Sequence, residues 1–213
     1  MLEIDGVVIL ASSRRSARSR EAMAICEIAK KEEHSVVSPL ALIKGIGIYE
    51  GANVDLVSLK TSLRPFRNKP GITEIPCPLG SLMAMRKKTY ERIGGNFFFE
   101  GWGHSSVMSI GLRVWLTNGR CLSSASTRID VSSDPSVKIE DSASEIANKI
   151  IICQMILPLT ARKAASERLT ASVSPDLMIS ASKILCSRIK EAMFLKKALG
   201  DYFDDSLIGR MTV

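Results

Sequence analysis

The chain has 213 residues, 46% of them hydrophobic, and a formal net charge of +7. This size and composition fit one domain, or one domain with a helical appendage, and exclude wholesale disorder. Aromatics are only 5%, so the core must be built mostly from Ile, Leu, Val, Ala and Met. No apolar run approaches the roughly 20 residues needed to span a bilayer. The first apolar run precedes its basic run, the reverse of a secretory signal, so the expected location is the cytoplasm, alone or within a larger assembly. The cysteines at 26, 77, 121, 153 and 186 form no C-x-x-C pair and are joined by only two histidines. That argues against zinc and for buried thiols acting as small hydrophobes.

In chain order, "EIDGVVIL" (3–10) reads as a strand. Apolar residues at 22, 25, 26, 28 and 29 give 16–33 helical spacing. Residues 35–39 form a short extended piece ending at Pro39, 40–51 a short helix, 52–63 a strand and 64–71 a proline-containing loop. A short helix over 86–93 is stopped by Gly94 and Gly95. Residues 106–120 are helical up to Asn118-Gly119, and 121–133 a closing strand. After Pro135 the composition turns helical over 140–157, 159–172 and 176–203. The expected organisation is an α/β domain over 1–135 and a helical extension over 136–213.

Three basic clusters stand out: Arg14, Arg15, Arg18 and Arg20; Arg64, Arg67 and Lys69; and Arg86, Lys87, Lys88 and Arg92. They are either solvated faces or surfaces for nucleic acid. No aromatic interleaving or RNP-like motif accompanies them.

The order of signals from 78 to 131 is more specific. Gly80 precedes "LMAMR", a basic helix ends in "ERIGG", "GWG" follows an aromatic run, and a helix carrying "LRVW" leads through "NG" to a strand beginning at Arg120. This order resembles the C-terminal half of GT-A glycosyltransferase catalytic domains, above all the polypeptide N-acetylgalactosaminyltransferases and the galactosyltransferase C-terminal region. The resemblance implies a partial GT-A-like mixed sheet with flanking helices, followed by the helical tail. On it, Gly80, Gly94, Gly95, Trp102, Gly103, Ser105, Ser106, Arg113 and Trp115 are the scaffold of the family's site. Upstream, "EEHSVVSPLAL" is similar to the family's metal-binding segment. That match implies Glu32 and His34 as metal ligands, with Asp130 or Asp134 as the late ligand. An active enzyme would then use Mn²⁺ or Mg²⁺ with a nucleotide sugar.

The departures from the family matter as much. The acidic pair that follows the family's Trp-Gly-Gly turn falls here on Ser105 and Ser106, or on Ser106 and Val107, and neither alignment supplies a carboxylate. His104 is the residue that would replace it as a base. The other reading is a serine cap on the helix that follows. Only 31 residues precede Glu32, leaving little room for a nucleotide-binding unit. The main expectation is therefore a degenerate glycosyltransferase-like domain retained for binding or assembly with other protein subunits, needing no cofactor. The alternatives are an active, divergent metal-dependent transferase and a basic nucleic-acid-binding protein.

Overall fold

A computed structural model of the chain describes residues 1–11, 19–80, 82–95, 104–131, 142–157 and 159–199. The expected first strand is a hairpin of β1 (Leu2–Ile4) and β2 (Val7–Ala11). Asp5 and Gly6 form its turn at φ 48° and 73°, the left-handed conformation that an Asp-Gly pair accepts in a tight hairpin. All five β2 residues are buried. Val7, Ile9 and Ala11 join the cluster that holds Ile25, Cys26 and Ala29 of α1 (Arg20–Lys31), while Val8 and Leu10 enter the cluster on the opposite face. An apolar run without alternation is what a strand covered on both faces requires. Ser19 caps α1, its Oγ accepting the Ala22 N–H at 3.1 Å.

The helix expected over 40–51 is absent. Its residues belong to β3 (Ser35–Ile43) and β4 (Gly47–Asp55), joined by a turn at Gly45. Ala41–Ile43 pairs with strand residues on both sides, and that pairing overrides the local helical reading. Pro39 does not end β3. It lies where the β3 register shifts between Pro39 and Leu40, an irregularity that accommodates a residue without an N–H. The strand expected over 52–63 is split. At Asp55 the carboxylate accepts from the Val57 N–H (2.9 Å), the Ser58 N–H (3.2 Å) and the Ser58 hydroxyl (2.7 Å). This side-chain turn separates β4 from β5 (Lys60–Pro65).

The remaining body elements are β6 (Ile72–Glu74), β7 (Leu82–Arg86), α2 (Lys87–Arg92), α3 (His104–Leu116) and β8 (Arg120–Val131). The last three fall where the motif order places them. The strands form one mixed sheet in the order β1-β2-β7-β3-β4-β5, with β8 on β3 and β6 on β8. β3 is the axis. It runs parallel to β8 along its whole length, and its other edge takes β7 at Val36 and Val37 and β4 at Ala41 to Ile43. α1 covers one face of the sheet, and α3 packs in the cluster on the other.

The tail is helical: α4 (Ala143–Ile151), a π-helical turn (Ile152–Ile156), α5 (Leu159–Ser172), α6 (Pro175–Ser187) and α7 (Ile189–Leu199). It shares the body's core across the expected boundary at 135. Ile146, Ile151 and Ile156 lie in one buried cluster with Met83, Met85 and Trp115.

Helix α3 turns into β8 where Arg120 N–H donates to the His34 carbonyl at 2.9 Å. A Cβ on Gly119 would lie 2.3 Å from that carbonyl oxygen and 2.9 Å from the Val114 oxygen. Both obstacles are backbone, so Gly119→Ala must displace the α1–β3 connection. Its expected cost is about 1–3 kcal/mol, the range for overfilling a packed site, seen as a lower urea midpoint at unchanged slope. An unaltered midpoint would contradict this close approach.

Candidate functional site

Helix α3 is aligned by its contacts with the segment from Pro76 to Gly80, through residues four apart. Trp115 Nε1 donates to the Pro76 carbonyl at 2.8 Å. A Cβ on Gly111 would meet Cys77 Sγ at 3.1 Å. One turn further up, Cys77 Sγ approaches the Val107 carbonyl at 3.5 Å, and a Cβ on Gly80 would meet Val107 Cγ2 at 2.4 Å. Trp115 is thus a buried anchor with its polar edge bonded, and Gly80 gives the first turn of α3 room to approach. Burial raises the pKa of the Cys77 thiol to about 12 and that of Cys26 to about 11, so both stay neutral. Cys121 and Cys153 are buried as well, whereas Cys186 is exposed.

Arg113 is fully buried. Its Nη1 donates to the carbonyls of Ile93 (2.8 Å) and Gly95 (2.6 Å), and its Nε to the Ser109 carbonyl (3.2 Å). Gly94 and Gly95 have φ of 80° and 67°. Only glycine takes two successive left-handed residues cheaply, and this conformation brings the carbonyls to the guanidinium. Burial lowers the Arg113 pKa to about 10, which leaves the group charged at neutral pH. The "IGG" and "LRVW" motifs therefore meet as one contact.

At the other end of α3, Ser105 and Ser106 are buried. Ser105 donates both its backbone N–H (3.0 Å) and its hydroxyl (2.5 Å) to Glu145 Oε1. Glu145 belongs to α4 and is itself buried. A carboxylate accepting at a helix N-terminus is also favoured by the helix dipole. A buried carboxylate thus lies at the start of α3, contributed by the tail. The sequence holds a weak signal for it: Ser142 and Glu145 have capping-box spacing, and Ser142 Oγ accepts the Glu145 N–H at 3.2 Å. Nothing in that spacing indicates that the Glu145 side chain reaches Ser105. His104 begins α3, but its side chain, Trp102, Gly103 and Asp134 lie outside the described residues.

The three described metal-ligand candidates do not converge. Glu32 and His34 precede β3, whereas Asp130 pairs with Leu42 near the far end of that strand. At the ~3.3 Å rise of a strand residue, this separates His34 from Asp130 by about 26 Å. Glu32 instead accepts from Arg120 Nη2 at 2.7 Å, and His34 Nε2 faces Arg92 Nη1 at 3.4 Å. His34 also holds a left-handed φ of 51° at the α1–β3 turn. These residues do not fit one Mn²⁺ or Mg²⁺ ion. No cluster of three or more His, Cys, Asp or Glu that could hold a metal occurs among the described residues. The basic clusters are partly tied up as well. Arg64 pairs with the buried Glu50 at 2.9 Å, Arg86 with Glu33 at 3.5 Å and Lys87 with Glu3 at 3.2 Å.

No family model matches the sequence, and no curated protein matches it. Among solved structures, the chain is similar to the crystal structure of GalNAc-T7 with UDP, GalNAc and Mn²⁺, at a TM-score of 0.58 and 14% identity. The fold is GT-A-like. The match covers 87% of this chain but only 38% of the solved one. At that identity the likeness concerns architecture alone: a mixed sheet, flanking helices and C-terminal helices. No helix among the described residues is long and apolar enough to cross a membrane.

Replacing Arg113 removes its bond to the Ser109 carbonyl within α3 and the donor to the two carbonyls after α2, those of Ile93 and Gly95. Arg113→Leu is expected to destabilise the fold by about 2–5 kcal/mol, since each buried acceptor left unbonded costs about 1–3. Arg113→Lys should not restore stability, because a single ammonium lacks the planar fork. Thermal melts of both variants test this, and wild-type melting of either would contradict it.

Proposed function

We propose that this chain is a glycosyltransferase-fold domain retained for binding and assembly, without sugar-transfer chemistry of its own. One observation carries the reading: at the start of α3, Ser105 commits its N–H and hydroxyl to Glu145, a buried carboxylate of the tail. A general base must reach the proton it removes, and this carboxylate instead joins α3 to α4. Fold alone does not fix function. The second reading, an active divergent transferase using a nucleotide sugar with Mn²⁺ or Mg²⁺, is supported by the likeness to a structure containing UDP, GalNAc and Mn²⁺. Phosphate binding through the basic clusters receives less support, because Arg64, Arg86 and Lys87 sit in ion pairs.

The test is UDP release from UDP-GalNAc and UDP-glucose, measured on the full chain with Mn²⁺ and, separately, Mg²⁺. The expected result is release at the no-protein background. Metal-dependent release that disappears in His104→Ala, in a variant melting like the parent, would establish the second reading.

A further inference from the structure

The tail helices carry two apolar stripes, and only one of them meets the core. Leu177, Met178, Ala181, Ile184 and Leu185 of α6 and Ala192 and Leu195 of α7 pack inward. A second stripe, Ile179–Ser182–Cys186 on α6 and Ile189–Met193 on α7, faces outward. Ile179, Ile189 and Met193 are 56%, 53% and 64% exposed, although such side chains normally favour burial. The break between the helices is one residue, Arg188 at φ −111° and ψ 9°, whose N–H donates to the Leu185 carbonyl of α6 and whose carbonyl accepts the Ala192 N–H of α7, both at 3.0 Å.

The stripe has heptad spacing: three, four, three and four residues separate its members. At about 100° per residue it occupies an arc of about 80°. That narrow seam suits another helix, whereas a helix lying in a membrane interface presents a broad apolar face, usually with aromatics. Flanking it, at seven-residue intervals, are Asp176, Lys183, Lys190 and Lys197, all exposed and together net positive. In a coiled-coil pairing, residues beside the seam select the partner by charge. In an antiparallel pairing a second copy of this chain would set this net-positive row against itself, whereas an acidic helix would be attracted.

We propose that α6 and α7 form a docking surface for an amphipathic helix whose seam-flanking residues are acidic. The proposal rests on the assembly reading and specifies the surface and the chemistry of its partner. Cys186 lies in the stripe and is exposed, while the other four cysteines are buried, so its reaction with Ellman's reagent reports occupancy.

The probe is a synthetic helical peptide with Leu at the two seam positions of each heptad and Glu beside them. Its counterpart carries Lys in place of Glu. The Glu peptide should slow modification of Cys186 in the full chain, with protection lost near ~0.5 M salt as charges are screened. Neither the Lys peptide on the parent nor the Glu peptide on Met193→Asp should protect; Met193 is exposed, so that change leaves the core intact. Several outcomes would overturn the proposal. These are no protection by the Glu peptide, equal protection by both peptides, protection surviving Met193→Asp, or protection that rises with protein concentration alone, which would assign the stripe to self-association. Pelleting with anionic vesicles without peptide protection would assign it to lipid and likewise overturn it. UDP release by a chain that the peptide protects would refute the assembly reading and spare the surface. No release and no protection would refute the surface alone.

Discussion

A buried positive charge must be surrounded by acceptors, and this requirement organises the body of the fold. Arg113 is shut off from water and bonds the carbonyls of Ile93, Gly95 and Ser109. Meeting it fixes three things together. The chain leaving α2 must curl through two left-handed glycines so that its carbonyls face inward. Helix α3 must present Arg113 toward that curl. The indole two residues later is then carried to the Pro76 carbonyl. The guanidinium thus links the turn after α2 to α3, and Trp115 extends the joint to the segment after β6, which explains why "IGG" and "LRVW" belong together although 17 residues separate Gly95 from Arg113.

A second polar joint, at the opposite end of α3, ties the tail to the body. Glu145 accepts two hydrogen bonds from Ser105 where the helix has unbonded N–H groups. Around it, Ile146, Ile151 and Ile156 complete the same cluster as the body's Met83 and Met85. The tail is therefore integral to the core rather than an appendage. The chemical consequence follows from the same bonds: the carboxylate near this turn is engaged in holding two helices together.

Much of the fold was legible where one strong local rule acts. The apolar spacing located α1, Gly94 and Gly95 ended α2, and Asn118-Gly119 ended α3, with Asn118 at φ 59°. The resemblance between 78 and 131 placed α2, α3 and β8 in order and indicated the GT-A-like architecture. Local reading failed where tertiary pairing decides. Residues 40–51 have apolar spacing compatible with a helix, but Ala41 to Ile43 gain a strand partner on each edge. The Asp5-Gly6 pair carried a hairpin signal that the apolar run around it masked. The metal set of Glu32, His34 and Asp130 came from a match in one dimension, and the strand register separates its members by most of the length of β3. Glu145 was unreadable as a site residue because its distance from Ser105 in sequence, 40 residues, exceeds any local pattern.

The account's central claim is that the α3 turn serves as a structural joint. A double-mutant cycle of Ser105→Ala and Glu145→Ala, followed by urea unfolding of the full chain, measures it directly. Hydrogen bonds to a buried charge contribute about 1.5–3 kcal/mol, and groups in direct contact couple non-additively. The account predicts a coupling in that range, with each single variant markedly less stable than the parent. Additive effects, with coupling near zero, together with a Glu145→Ala variant as stable as the parent, would mean that Glu145 does not hold this turn and would contradict the account.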